Sequence, residues 1–224
     1  MRRVWRVRAQ VTRSCGRCAK SYVRGVSPVS NAALERAEAA KLPEDDIIGL
    51  LLTQHARMRE LFAEVHLSLG DEKKAKFGEL RALLAVHEAA EEMILRPVAK
   101  REAGEGEADS RNEEEEEAGR ILAELERMDP DGSQFEAKLT EFEKAVGDHA
   151  DHEEREEFPA VRDGCSQEQR RKMGKRLLRA ERTAPTHPHP AATGSSAAQW
   201  TVGPFASLMD RARDAIAGGD RSRG

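Results

Sequence analysis

Two stretches of the chain place the same residue types at the same spacing. His87-Glu88-Ala89-Ala90-Glu91-Glu92 runs on to Pro97, and His149-Ala150-Asp151-His152-Glu153-Glu154 runs on to Pro159. In each, Glu follows His by four residues, and Pro closes the segment ten residues after the His. On a helix, residues i and i+4 stack on one face, so one His and one Glu reach a common point. Two such helices facing each other offer two imidazoles and two carboxylates to a shared site. The pattern constrains the fold to helices packed side by side, and it outlines a metal site.

The rest of the sequence agrees with helices. Glu, Ala, Leu, Arg and Lys dominate and aromatic residues make up 4%, a composition that favours helix over strand. The net charge of −4 gives no general case for nucleic-acid binding, and no apolar run is long enough to span a bilayer. Cys15, Cys18 and Cys165 are too few and too scattered for a secreted disulfide scaffold, which points to a reducing, cytoplasmic setting.

The expected organisation is a basic, disordered extension over 1–42, a four-helix unit over 43–160, a short accessory helix over 161–182, a Pro-, Ser- and Ala-rich linker over 183–203, and a short amphipathic helix over 204–224. The extension has no acidic residue before Glu35. It reads as an organelle transit peptide, a basic arm, or translation from an upstream start. The first helix begins near Pro43, with the stripe Ile48, Leu51, His55, Met58, Phe62 and Val65. After a turn at Gly70, with Asp71 as N-cap, the second carries Phe77, Leu80, Leu84, His87, Glu91, Ile94 and Val98. Residues 102–112 read as a flexible loop. The third starts within Glu113–Glu117 and carries Ala118, Leu122, Leu125 and Met128. The fourth opens on a Ser133/Glu136 capping box and carries Phe135, Leu139, Phe142, Val146, His149 and Glu153. Ser166 and Gln169 suit the cap of the accessory helix. The stripe Phe205, Leu208, Met209, Ala212 and Ile216 either docks on the bundle or binds a partner.

Polar residues interrupt these apolar stripes at His55, at His87 and Glu91, and at His149 and Glu153. Burying an unpaired charge costs several kcal/mol, and a cation removes that cost by binding the carboxylates and the imidazole lone pairs. Short connections make successive helices antiparallel. His55 in the first half of helix one, His87 and Glu91 in the second half of helix two, and His149 and Glu153 near the end of helix four then gather at one end. Helix three contributes from its start, where Glu115 lies three residues before Ala118; a slip in register would substitute Glu114 or Glu116. Glu88 beside His87 could reach the site but is expected at the surface, His152 is expected exposed or behind the ligands, and His66 away from the site. Cys15-x2-Cys18 lacks the second pair that a structural zinc site needs, and His187 and His189 sit in the linker.

These residues resemble the hemerythrin-like family, the HHE cation-binding domain, over about residues 44–160. The likeness rests on Gln54-His55 with Leu61-Phe62, on His87-x3-Glu91-Glu92 with Pro97, and on His149-x3-Glu153-Glu154 with Phe158-Pro159. It implies an all-α, up-and-down four-helix bundle holding two iron ions, with manganese as the other fitting metal. The carboxylates of Glu91 and Glu153 would bridge the metals and His55, His87, His149 and Glu115 would complete the set. The expected function is binding or sensing of dioxygen, nitric oxide or peroxide. The alternatives are a di-iron redox enzyme, turning over peroxide or oxidising iron, and a metal-free helical interaction protein. Members of the family usually have His early in helix three. Glu115 in that place makes the ligand set richer in oxygen, which favours the ferric state and argues against reversible dioxygen carriage.

Overall fold

The computed structural model describes residues 28–102, 105–183 and 204–221. Nine α-helices are found there: α1 (Pro28–Ala39), α2 (Ile47–Leu67), α3 (Gly70–Ala90), α4 (Arg96–Glu102), α5 (Glu105–Leu125), α6 (Ser133–His152), α7 (Phe158–Gly164), α8 (Gln167–Thr183) and α9 (Phe205–Arg221). Among the described residues there is no strand. No helix among them is long and apolar enough to cross a membrane.

α2, α3, α5 and α6 form the four-helix bundle. α3 joins α4, and α6 joins α7, through one turn of π-helix each, Glu91–Leu95 and Glu153–Glu157. Such turns carry one residue more than an α-turn and concentrate at functional sites. Here each begins at the Glu of a His-x3-Glu motif.

The core is split in two. The far half packs Met58, Leu61, Phe62 and Val65 of α2 against Phe77, Leu80, Leu83 and Leu84 of α3, Ala118, Ile121, Leu122 and Leu125 of α5, and Phe135, Leu139, Phe142 and Val146 of α6. Edge-on aromatic pairs close it, Phe62–Phe142 at 5.5 Å and Phe77–Phe135 at 5.2 Å between centroids. The near half joins Ile47, Ile48, Leu51 and Leu52 to Val86, Ile94, Leu95, Ala99, Phe158 and Val161, and to Leu177, Ala180, Ala212 and Ile216 of α8 and α9. Each Val, Leu, Ile, Phe or Met among them is worth about 1.5–3 kcal/mol when fully buried. Between the two halves lies a polar layer.

The helix starts differ from the sequence reading. Asp46, not Pro43, begins the first bundle helix: its Oδ1 accepts from the backbone N–H of Ile48 at 3.1 Å. α3 starts at Gly70, whose φ of +58° suits glycine and whose N–H donates to Asp131 Oδ1 at 2.9 Å, so Asp71 is inside the helix. Ser133 makes no capping-box bond, because Glu136 is taken by His66 and the buried Lys73. α5 begins at Glu105, well before the Glu run; Glu and Ala favour helix, and Arg111 anchors this turn by donating to Glu114 at 3.1 Å and Glu156 at 3.2 Å.

The additional helices close the near end. Within the segment read as a basic extension, residues 28–39 form α1, which lies along α2; Arg36 is bidentate to Glu60, and Arg59 donates to the buried Glu35 at 2.5 Å. Residues 1–27, with Cys15 and Cys18, and 184–203, with His187 and His189, lie outside the described residues. α8 seats on the start of α2: Arg170 donates to Asp46 Oδ2 at 2.9 Å and Arg171 to Asp45 Oδ1 at 2.7 Å. α9 docks on α3 and α8 through Leu208, Ala212 and Ile216, with Arg213 paired to Glu92 at 2.8 Å.

Candidate metal centre

The polar layer holds His55, His87, Glu91, His149 and Glu153, all buried, with Glu91 and Glu153 fully so. One ligand atom each from His55, His87, Glu91 and Glu153 falls within a 4.8 Å circle, as do atoms of Glu91, Glu115 and His149. The structure therefore brings together all six residues expected from the sequence. Glu115, not Glu114 or Glu116, is the one facing inward: its Oε1 lies 3.9 Å from His149 Nε2. It is also bound by the Arg96 guanidinium.

The two carboxylates each look both ways. Glu91 presents Oε1 to His87 Nε2 at 2.9 Å and Oε2 to His149 Nε2 at 3.9 Å. Glu153 presents Oε2 to His55 Nε2 at 3.3 Å and to His87 Nε2 at 4.0 Å, and Oε1 to His149 Nε2 at 3.5 Å. One position is thus framed by His55 and His87, a second by His149 and Glu115, and Glu91 and Glu153 face both.

The imidazoles are oriented from behind. His87 Nδ1 meets Gln54 Oε1 at 2.9 Å, His55 Nδ1 meets Glu154 Oε1 at 2.8 Å, and His149 Nδ1 meets Glu114 Oε2 at 3.1 Å. Each partner oxygen only accepts, so each ring keeps a proton on Nδ1 and turns Nε2 inward, where it meets either a cation or a second proton. His55 Nε2 and His87 Nε2 are 3.2 Å apart; two facing lone pairs at that distance repel unless a cation or proton lies by them. All four oxygens of Glu91 and Glu153, and His149 Nε2, lack a protein hydrogen-bond partner although buried. Such orphaned groups cost roughly 1–3 kcal/mol each. The donor set of imidazole nitrogens and carboxylate oxygens fits a divalent transition metal.

The electrostatics carry the same message. Burial pushes Glu91 upward, but the imidazoles of His87 and His149 outweigh it and hold the carboxyl well below its usual range. Burial and the adjacent Glu91 charge push Glu153 well above it. His149 loses by desolvation and gains more from Glu153, Glu114 and Glu91, so it is raised well above an ordinary histidine. The site attracts positive charge, whether a proton or a metal ion.

Further side chains surround the six. Glu88, expected at the surface, turns inward: burial, then the Glu115 charge, pushes it up to about 8. It lines a cavity of about 10 Å³ with Met58, Leu84, Ala118, Val146 and Ala150, against His87, Glu115 and His149. His152 backs the site by way of Glu114, at 2.7 Å. Glu157 occupies the place that Leu95 holds in the first motif; it is buried with neither oxygen bonded, and burial raises it while Arg96 opposes. Periodicity could have flagged Glu157, four residues after Glu153. Glu35 and Glu181 reach the site's surroundings from helices outside the repeated motif, and no local pattern marks them; Arg96 lies inside the first stretch, just before Pro97. His66 sits away from the site, between Glu136 and Glu143.

A four-helix bundle with a buried His/Glu centre at one level defines a class of cation-binding helical proteins. The chain belongs to the family of the hemerythrin HHE cation binding domain, whose model matches residues 46–161. It is 28% identical over 142 residues to a DNA nickase of Nostoc sp., an overlap of 63% of this chain and 40% of that protein. It is likewise 28% identical over 134 residues to an uncharacterized hemerythrin-like protein of Schizosaccharomyces pombe, covering 58% and 66%. The chain thus spans less than two thirds of the length of either relative. No solved structure matches it.

Proposed function

We propose that the bundle holds two iron ions and uses them to bind or sense a small ligand, dioxygen, nitric oxide or peroxide. One observation carries this reading: two buried carboxylates each face two sets of nitrogens, and none of their four oxygens has a protein partner. Glu91 and Glu153 would span both metal positions, with His55 and His87 on one, and His149 and Glu115 on the other. Manganese fits the same donors. Iron in this place supplies redox activity and an affinity for small oxygen- and nitrogen-containing ligands.

The protein's own part follows from its side chains. Gln54, Glu154 and Glu114 hold a proton on each Nδ1, so that Nε2 is the atom each ring offers to a cation. Met58, Leu84, Ala118, Val146 and Ala150 line a cavity with room for roughly one water-sized molecule, which restricts the site to very small ligands. The Glu88 carboxyl, held protonated at neutral pH, can donate a hydrogen bond into that cavity.

Anaerobic reconstitution with ferrous iron, followed by exposure to dioxygen, nitric oxide and peroxide, tests the reading. About two irons per chain are expected, with a ferric charge-transfer absorption that His87→Ala or Glu153→Ala removes. A fully helical protein that takes up no metal would refute it and favour an interaction protein. Repeated turnover of peroxide or ferrous iron would assign an enzyme. The name of the Nostoc relative favours one further arm, incubation of the loaded protein with supercoiled plasmid; nicking lost in Glu153→Ala would make this centre hydrolytic or oxidative toward DNA.

A further inference from the structure

Gln54 is not a ligand, yet it is buried between the metal layer and α8. Its Oε1 faces His87 Nδ1 at 2.9 Å, and its Nε2 donates to Glu181 Oε1 at 2.7 Å. Glu181 lies on α8, beyond the residues matched by the family. The amide has two ends, an acceptor and a donor, and its orientation decides what His87 meets. With an accepting carboxylate at Glu181, the NH2 end turns to α8 and the oxygen turns to His87. His87 then keeps its proton on Nδ1 and its lone pair on Nε2, 2.9 Å from Glu91 Oε1. Reversed, the amide would point a donor at Nδ1. His87 would move its proton to Nε2, facing His55 Nε2 at 3.2 Å, and could no longer bind a cation there.

We propose that Glu181 is a positioning residue: it fixes the orientation of the Gln54 amide, and through it the metal-binding tautomer of His87, so that α8 is a working part of the metal site. α8 is placed to do this. Leu177 and Ala180 are fully buried in the near core, and Arg170 ties the helix to the N-cap Asp46. Burial raises the Glu181 carboxyl and the Gln54 bond opposes that shift. The inference rests on the reading of this layer as a metal site, but one of its tests needs no metal.

The test uses the full chain and the variants Glu181→Leu, Glu181→Gln and Gln54→Glu/Glu181→Leu, each checked for wild-type helicity. Long-range proton–nitrogen spectra of metal-free protein read the His87 tautomer, and chelator competition reads iron or manganese affinity. Wild type should show His87 protonated on Nδ1. Glu181→Leu should move His87 toward the Nε2-protonated form and weaken the metal about 10- to 100-fold. Glu181→Gln should fall between wild type and Glu181→Leu, since its amide presents a donor as well as an acceptor and no longer dictates one orientation. Gln54→Glu should rescue Glu181→Leu, because a carboxylate has no donor end to turn over. An unchanged tautomer and affinity in Glu181→Leu overturn the proposal. So does a double variant with no rescue, since packing alone would then account for the residue. If wild type binds no metal, the proposed function fails, while the His87 spectra still decide this inference.

Discussion

Gly174 is the point at which α8 meets the bundle most closely. A Cβ there would stand 2.2 Å from the Asp45 carbonyl oxygen, 2.9 Å from its carbon and 3.0 Å from the Ile47 nitrogen. All three are backbone atoms. Asp45 is tethered to α8 itself by Arg171 and Lys175, and Asp46 beside it caps α2. Neither surface can give, so Gly174→Ala must lift α8 outward by roughly 1 Å to reach ordinary van der Waals contact. Overpacking of this kind costs about 1–3 kcal/mol. Partial exposure of Leu177, worth about 1.5–3 kcal/mol when buried, sets a similar scale. Against this stands the helix propensity of Ala over Gly, about 1 kcal/mol in favour. The net change is a loss of up to about 2 kcal/mol, opposite in sign to propensity alone. Gly119, in α5, is the control, since nothing lies within 4 Å of its added Cβ; Gly119→Ala should stabilise. Urea unfolding midpoints give the sign, and hydrogen exchange over 167–183 shows whether α8 has lifted. If Gly174→Ala stabilises as Gly119→Ala does, the close seating of α8 is wrong.

Glu153→Gln should lower iron uptake to below one ion per chain on metal analysis, and the metal-free variant should gain thermal stability over wild type as pH rises, because Gln never has to shed the proton that burial and Glu91 make Glu153 hold. Glu88 has a folded value of about 8 against an ordinary 4.5. Its contribution to stability is therefore complete below pH 4.5 and is lost as pH rises toward 8, and Glu88→Gln should flatten that part of the chelated protein's pH–stability curve. Glu136→Ala leaves the buried Lys73 without its carboxylate and frees His66 from one of its two; calorimetry should show a loss of about 1–3 kcal/mol with metal content unchanged. A wild-type melting curve in that variant would mean the far-end ion cluster is a surface ornament.

The bundle and the six inward residues were legible because two periodicities coincide. Apolar residues recur at three and four, and the His/Glu pairs fall on the same stripe, so burial and chemistry predict one face. Extrapolation failed where the helix changed pitch. The stripe Phe77, Leu80, Leu84, His87, Glu91, Ile94 projects to Val98 on an unbroken α-helix, yet Ala99 is the buried residue and Val98 is only half-buried. The π-turn at Glu91–Leu95 inserts the missing residue. Glu88 misled for another reason: next to His87 in sequence, it lies off the apolar stripe, and only the approach of α5 makes its side of α3 interior. Gln54 stood in the motif, but its partner is 127 residues away. α1 was hidden by its surroundings, since its apolar face is short and its buried member facing α2 is an acid, Glu35.

The paired π-turns also set how the molecule can vary. Each residue of a helix turns the chain by about 100°, so a single deletion within 92–95 or 154–157 would swing the face of α4 or α7 around the axis by that angle while leaving His87, Glu91, His149 and Glu153 in phase with the lower bundle. The turns work as rotary joints between two stacked barrels of side chains. The far barrel and its ligands keep one phase, and only α4 and α7 are re-clocked over it, while α8 stays tied to the start of α2.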